Sequence, residues 1–246
     1  HLAIVHPSDH PKAGQPIWPE RFSVEHITSL RQKLGAAMFT LQYRNEALAE
    51  GITEFRLDWL RFWHRGQGPN GEDLVVIERP LAEGGPLTFD QRDLSVFQWI
   101  DPCHSPESGD ARSAIVTAGL TAQDPFNVVV LDTWAQKASG QVTIDAAYER
   151  FERFGVVCSA IEVVGAQVTL FYWAVERHPN FALRKLKTDT HRSKFSRIRP
   201  LGAFAEQGRI YIHREQLDFQ EEWLTFPNGK TVDLLDALAY GPQTWA

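Results

Sequence analysis

Short apolar runs separated by polar turns dominate the chain from about residue 94 onward. Runs at 95–100, 114–120, 127–134, 156–163 and 181–186 predict strands. Segments 143–154, 165–177 and 232–240 have the three- and four-residue apolar spacing of helices, with Thr143 as the expected N-cap of the first. Segment 208–213 predicts an edge strand. This order predicts an α/β fold, a mixed central β-sheet flanked by α-helices.

The first 90 residues have a different character. Four prolines fall within the first 20 residues, and Ser23 is a plausible N-cap for a helix that carries Ile27 and Leu30 on one face. The aromatic-rich segment 52–63 suits either a strand or a short helix. We therefore expect residues 1–90 to be a lead-in and residues 91–246 to be the main domain.

Bulk composition excludes several classes of protein. The 246 residues, 43% hydrophobic and 23% charged, suit one large globular domain or one domain with an appended segment. No apolar run approaches the about 20 residues that span a bilayer, so no membrane partner is expected. Cys103 and Cys158 form no zinc-type cluster, and we expect both to be reduced in a cytoplasmic protein. The first residue is His1, so we expect a fragment or processed product.

The charge is unevenly distributed along the chain. A net charge of -6 argues against a general nucleic-acid binder. From residue 184 to residue 199, however, Asp189 is the one acidic residue among seven basic ones. Such a stretch suits contact with a phosphate backbone, and a solvated loop is the alternative. The basic residues are Arg184, Lys185, Lys187, Arg192, Lys194, Arg197 and Arg199.

Four carboxylates stand where an ordinary core would not place them. Asp101 ends an apolar strand, and Glu162 lies in the apolar run CSAIEVV. Asp233 and Asp236 are three apart, which puts both on one helix face. An ion pair with Arg or Lys is the alternative for Glu162, and compensation of the helix dipole is the alternative for the two aspartates. Converging carboxylates are the ligands that two Mg²⁺ or Mn²⁺ ions require for phosphodiester hydrolysis.

The sequence does not support binding or hydrolysis of ATP. Residues Gly229, Lys230 and Thr231 resemble the end of a phosphate-binding P-loop. The required glycine five residues earlier is replaced by Leu224, and no buried strand precedes the segment. The chain therefore carries no recognisable ATPase motif.

From about residue 17 to the end, the order and spacing of several short segments resemble the large terminase subunit of tailed phages. Thr231 and Val232 depart from the family pattern, which often has His-Asp before the helix aspartate. The matching segments are WPERF at 18–22, LG at 34–35, QYRN at 42–45, DP at 101–102, SAIV at 113–116, VLD at 130–132, AIE at 160–162, Lys194 with RI at 197–198, GRI at 208–210 and DLLDAL at 233–238.

The resemblance implies an RNase H-like, Mg²⁺- or Mn²⁺-dependent endonuclease that cuts concatemeric double-stranded phage DNA during genome packaging. It implies that Asp101, Glu162 and Asp233 are catalytic metal ligands, with Asp236 in reserve. In the full-length parent the implied partners are a packaging ATPase domain, the portal and the small terminase subunit, in the host cytoplasm. Lys194 and Arg197 match a basic pair near the active site, for which a solvent-facing surface pair is the alternative. With these two residues, Lys185, Lys187 and Arg192 complete the expected DNA-binding set.

Two other functions compete with this one. Another RNase H-like nuclease, such as a resolvase or an integrase, would use the same carboxylates, although the Gln42-Tyr43 lead-in disfavours it. A catalytically silent module that docks on DNA or the portal would use them only in ion pairs.

Overall fold

The computed structural model describes residues 4–6, 10–34, 39, 43, 54–103, 112–165, 167–186 and 193–245. These residues form two compact units. One contains residues 1–56 and 217–230, and the other contains residues 57–216 and 231–246.

The larger unit is built on one nine-stranded sheet of order β3-β2-β1-β9-β6-β5-β4-β7-β8. Strands β4, β5 and β6 are antiparallel neighbours, and β7 and β8 continue the sheet in parallel beside β4. The mixed sheet predicted from the sequence is confirmed. The strands are β1 (Arg61–Gln67), β2 (Asp73–Ile77), β3 (Leu87–Asp90), β4 (Ser95–Asp101), β5 (Ser113–Leu120), β6 (Val128–Gln136), β7 (Cys158–Ile161), β8 (Leu183–Lys185) and β9 (Ile210–His213).

Helices cover this sheet. Helix α2 packs on β4 and β5, and helix α7 packs on β4, β5 and β6. All eight residues of β5 are buried, as expected for a central strand covered on both faces. The helices of this unit are α2 (Gly140–Phe154), α3 (Gln167–Arg177), α4 (Lys194–Ile198), α5 (Pro200–Glu206) and α7 (Asp233–Ala239).

Side chains alternate between the two faces of the sheet along β4, and this alternation decides the face on which Asp101 lies. Ile100 packs in the core cluster that contains Ile144 and Ala147 of α2. Asp101 is the next residue and pairs with Ala114 of β5, so its side chain leaves the sheet on the opposite face. Helix α7 brings its own aspartates to the sheet, as described below.

Two local predictions are wrong. Helix α2 begins at Gly140, because the Ser139 hydroxyl accepts the Val142 N–H at 3.3 Å; the Thr143 hydroxyl instead donates to the Ser139 carbonyl at 2.9 Å. Strand β9 is internal rather than at an edge, because it pairs in parallel with both β1 and β6. The sequence did not decide whether segment 52–63 is a strand or a helix. Strand β1 starts in this segment and is the second neighbour of β9.

Strands β1 to β3 occupy residues 61–90, so the sheet runs across the boundary that the sequence suggested near residue 90. That boundary between a lead-in and a nuclease domain stays a prediction.

The smaller unit contains α1 (Val24–Leu34) and α6 (Leu217–Thr225). The Ser23 hydroxyl accepts the His26 N–H at 3.2 Å, which confirms the predicted cap. Phe55 packs on Trp223, with ring centroids 4.3 Å apart. Among the described residues, the helices are too short or too polar to span a bilayer.

Gly119 of β5 gives a test of this packing. A Cβ atom there would lie 2.7 Å from Leu94 Cδ1 and 2.9 Å from Leu94 Cβ. We expect Gly119→Ala to lower the free energy of unfolding by roughly 1–3 kcal/mol through overpacking. Urea denaturation of Gly119→Ala, Leu94→Ala and the double variant measures the coupling. The two costs should be strongly non-additive, and simple additivity would contradict the contact.

Candidate metal centre

Two of the predicted carboxylates lie side by side at the carboxyl ends of adjacent strands. Ile100 of β4 is in parallel register with Ile161 of β7, and the Glu162 N–H donates to the Ile100 carbonyl at 2.9 Å. Asp101 and Glu162 are the residues that follow. Loss of solvation, and then the charge of Glu162, raise the pKa of Asp101 well above its ordinary value of 3.8. The two side chains therefore lie close enough for the charge of Glu162 to act on Asp101.

Helix α7 supplies the other two carboxylates. Asp233 and Asp236 lie in its first turn, with only 9% and 1% of their surfaces exposed. Both side chains meet Lys194 of α4, whose Nζ is 2.9 Å from Asp233 Oδ1 and 3.5 Å from Asp236 Oδ2. The charge of Asp236 also contributes to the raised pKa of Asp101, so the helix and strand carboxylates share one site.

The two helix aspartates differ in their remaining partners. Asp236 is held by Arg197 through both carboxylate oxygens, at 2.8 and 2.9 Å from Nη2, with Nε at 3.0 Å from Oδ1. In contrast, Asp233 Oδ2 is buried and accepts no hydrogen bond from any residue that the structure describes. Arg112 Nε lies 3.6 Å from it, which is an ion-pair distance but too long for a hydrogen bond. Asp233 therefore keeps an oxygen available to a ligand.

Glu162 has a neutral partner. The Tyr240 hydroxyl donates to Glu162 Oε1 at 2.6 Å, which differs from the ion pair with Arg or Lys that the sequence left open. Burial, and then this hydrogen bond to Glu162, raise the pKa of Tyr240 far above its ordinary value. The phenol is therefore a permanent donor to the carboxylate at any ordinary pH.

Lys194 supplies much of the positive charge at the site. Burial alone would lower its pKa, but Asp236, Asp233 and Asp101 together raise it above the ordinary value. Four carboxylates thus face three cationic side chains, those of Lys194, Arg197 and Arg112. Counted with every carboxylate ionised, these groups carry one net negative charge, from four carboxylates and three cations.

The expected DNA-binding residues divide into three groups. Lys194 and Arg197 pair with the α7 carboxylates, so the alternative of a solvent-facing surface pair is wrong. Lys185 is exposed at the end of β8, in register with Ile161, and its Nζ lies 4.4 Å from the centroid of the Tyr172 ring. Lys187 and Arg192 lie outside the described residues.

The candidate ligands are of the chemical type that hard divalent cations prefer, but their side chains are not arranged around one metal position. All four candidates bind through oxygen, and the buried Oδ2 of Asp233 accepts no hydrogen bond from a described residue. Repulsion among the carboxylates also favours the addition of positive charge. Within the described ranges, no three His, Cys, Asp or Glu side chains already converge on a common metal position. The Lys194 ammonium group instead contacts both helix aspartates.

Sequence reasoning missed Tyr240 and Arg112. Tyr240 lies four residues after Asp236, which is the spacing of one helix face, so its place near the site was open to prediction. The role of Arg112 was not, since it depends on the approach of α7 to the start of β5.

Neither a protein-family model nor a curated protein sequence matches the chain. Solved structures do. The large terminase nuclease of thermophilic phage G20c, with bound magnesium, aligns with a TM-score of 0.51 at 13% identity over 80% of this chain and 99% of that one. The chain shares the fold of that nuclease. The RNase H-like prediction is thereby confirmed at the level of the fold.

Two further structures align at lower TM-scores. The large terminase nuclease domain of bacteriophage SPP1, with bound Mn, gives 0.44 at 14% identity over 62% of this chain and 87% of that one. The RuvC protein of T. thermophilus in complex with a Holliday junction substrate gives 0.32 at 12% identity over 59% and 89%.

The raised pKa of Asp101 predicts how stability depends on pH in the presence of a chelator. The native state binds the Asp101 proton more tightly than the unfolded state does, so this contribution is fully present below pH 3.8 and is lost as pH rises through the higher native pKa. We expect Asp101→Asn to be more stable than the wild type near pH 7, with a difference that shrinks on acidification. Thermal unfolding followed by circular dichroism measures both.

Asp145→Asn is the matched control for this experiment. Asp145 is a surface carboxylate whose pKa is lowered, first by its hydrogen bond with Arg177. Its replacement should bring no gain in stability at neutral pH. A wild-type protein more stable than Asp101→Asn throughout the pH range would contradict the electrostatic account of the site.

Proposed function

We propose that the chain is a metal-dependent endonuclease that cuts double-stranded DNA with little sequence preference, by two-metal phosphodiester hydrolysis. The observation that carries the proposal is the proximity of Asp101 and Glu162, on adjacent strand ends, to the α7 aspartates, one of which has a buried oxygen that accepts no hydrogen bond from a described residue. The shared fold supports it, since the G20c terminase nuclease was solved with magnesium. A divalent requirement met by Mg²⁺ or Mn²⁺ follows from the all-oxygen donor set.

The geometry suggests distinct roles for the four carboxylates. Asp101, at the centre of the repulsion, would hold both ions, while Glu162 and Asp233 would each hold one. Asp236 serves differently, because Arg197 already binds both of its oxygens. When bound, two divalent ions polarise a phosphodiester, activate water and stabilise the leaving oxygen. The contribution of the protein is to hold the carboxylates in place and keep Lys194 beside them.

DNA contact is assigned to the cationic groups on the same end of the sheet. Lys185 is exposed one strand away from Glu162, and this supports its proposed contact with a phosphate next to the cleaved one. Lys194 would reach a phosphate once the aspartates bind metal, and Arg197 acts through Asp236. Lys187 and Arg192 belong to the same basic stretch and stay in the proposed set. The net charge of -6 predicts weak, salt-sensitive binding.

The biological setting proposed is phage genome packaging in the host cytoplasm. The substrate there would be concatemeric DNA, and the partners would be the packaging ATPase domain, the portal and the small terminase subunit. The likeness to a large terminase nuclease in fold, together with the sequence segments that resemble the same family, supports this setting.

Cleavage of supercoiled plasmid in Mn²⁺ or Mg²⁺ tests the activity. The wild type should nick and linearise the plasmid, and a chelator should stop it. Asp101→Ala should lower the rate by more than the about 10–100-fold that loss of an outer-ligand partner costs. Asp145→Ala removes a carboxylate of the same size at the surface and should cut normally.

The outcomes of this assay separate the alternatives. Equal nicking by Asp101→Ala and the wild type would overturn the metal assignment. No cleavage by any variant would favour a docking module. Preference for a four-way junction over linear duplex would favour a resolvase.

Stability measurements distinguish the two helix aspartates. Asp236→Asn leaves Arg197 without its buried partner and Lys194 with Asp233 alone, and should cost about 3–5 kcal/mol of unfolding free energy. Asp233→Asn should cost less unfolding free energy, because Asp236 still pairs with Lys194 and Arg197. The Mn²⁺ affinity of this variant, measured by titration calorimetry, should nevertheless fall sharply. Equal destabilisation by the two substitutions would show that the aspartates share one role.

A further inference from the structure

Glu162 is held from one side by a residue that is not a candidate ligand. Its Oε1 accepts the Tyr240 hydroxyl at 2.6 Å, within the range of strong charge-assisted O–H···O⁻ hydrogen bonds. Tyr240 is fully buried. A glutamate at a strand end would otherwise rotate about its side-chain bonds, so this hydrogen bond limits the directions in which the carboxylate can point.

Tyr240 is itself fixed by the network around Asp236. The Arg197 guanidinium lies 4.8 Å from the centroid of the Tyr240 ring, and the same guanidinium binds both oxygens of Asp236. Tyr240 is the C-cap of α7 and keeps helical dihedral angles, so it lies on the same face as Asp236, four residues earlier. The Tyr240 N–H donates to the Ala237 and Leu238 carbonyls, which holds its backbone in place.

We propose that Tyr240 is a positioning residue for Glu162, and that Arg197 and Asp236 hold Tyr240 in place for this task. This inference rests on the proposed nuclease function. Tyr240 occupies one oxygen of Glu162, which leaves the rest of the carboxylate for Asp101 and a divalent ion. Asp236 thereby acts on the site through Arg197 and Tyr240, without binding a metal itself.

A purely structural role predicts different behaviour. A buried phenol needs a hydrogen-bond acceptor, so Glu162 could serve Tyr240 rather than the reverse. Under that reading, loss of the hydroxyl would alter stability and leave metal binding unchanged. A positioning role instead predicts the loss of metal affinity that follows removal of an outer partner of a ligand, about 10–100-fold.

The test is titration calorimetry of Mn²⁺ into the intact chain and its Tyr240→Phe variant. We expect Mn²⁺ to bind Tyr240→Phe about 10–100-fold more weakly. In plasmid cleavage at saturating Mn²⁺, kcat should fall while KM for DNA stays unchanged. Tyr148→Phe is the matched control, since it removes a hydroxyl that likewise donates to a glutamate, Glu152 at 2.8 Å, outside the proposed site, and should bind Mn²⁺ as the wild type does.

Two further variants keep the inference falsifiable. Arg197→Lys retains the charge beside Asp236 but loses the planar group over the ring, so it should weaken Mn²⁺ binding by a smaller factor. In a Glu162→Gln background, Tyr240→Phe should add little, because the carboxylate that it positions is gone.

The possible failures are distinguishable. If the wild type binds no Mn²⁺, the proposed function and this inference fall together. If the wild type binds Mn²⁺ and Tyr240→Phe binds it equally well, the inference alone is wrong. Additive losses in the Glu162→Gln background would also overturn it.

Discussion

Repulsion among carboxylates at one end of the sheet is the interaction on which the rest of the site depends, because the neighbouring cationic side chains must compensate for it. Asp101 and Glu162 follow paired positions on adjacent strands, and the pKa of Asp101 is raised by burial and by the charge of Glu162. Asp236 adds to the repulsion from α7. Such an arrangement lowers the stability of the native state, so it persists only where other contacts compensate.

The compensation comes from short elements that hold cations against the carboxylates. Helix α4 has only five residues, yet it carries Lys194 and Arg197 to both aspartates of α7. The strands contribute rigidity, because the parallel register of β4 and β7 fixes the backbone on which Asp101 and Glu162 stand. The packing of helix α7 on β4 and β5 fixes the position of Asp233. A site assembled from four separate elements in this way is held by packing and does not depend on a single loop.

The sequence carried enough information to predict the strands and the acidic residues at their ends. Continuous apolar runs are unambiguous in a sheet covered on both faces, and a carboxylate that ends such a run is conspicuous. The exposure of Lys185 followed from its place in a basic stretch. The resemblance to terminases, confirmed for the fold, depended on the order of many short segments and not on any one of them.

Other features depend on contacts between distant segments, which periodicity does not encode. The internal position of β9 required recognition of β1, whose seven residues mix aromatic and charged side chains. The pairing of Arg197 with Asp236 joins residues 39 positions apart, and Tyr240 meets Glu162 across 78. These contacts changed the reading of Asp236, from a reserve ligand to a partner of Arg197.

The most direct measurement is a crystal structure of the chain soaked with Mn²⁺, with anomalous diffraction used to locate the ions. The account predicts anomalous peaks within coordination distance of Asp101, Glu162 and Asp233, with Lys194 moved away from Asp233 and with Arg197 still bound to Asp236. Diffraction that shows no manganese at these carboxylates, or manganese held by Asp236 in place of Asp233, would contradict it.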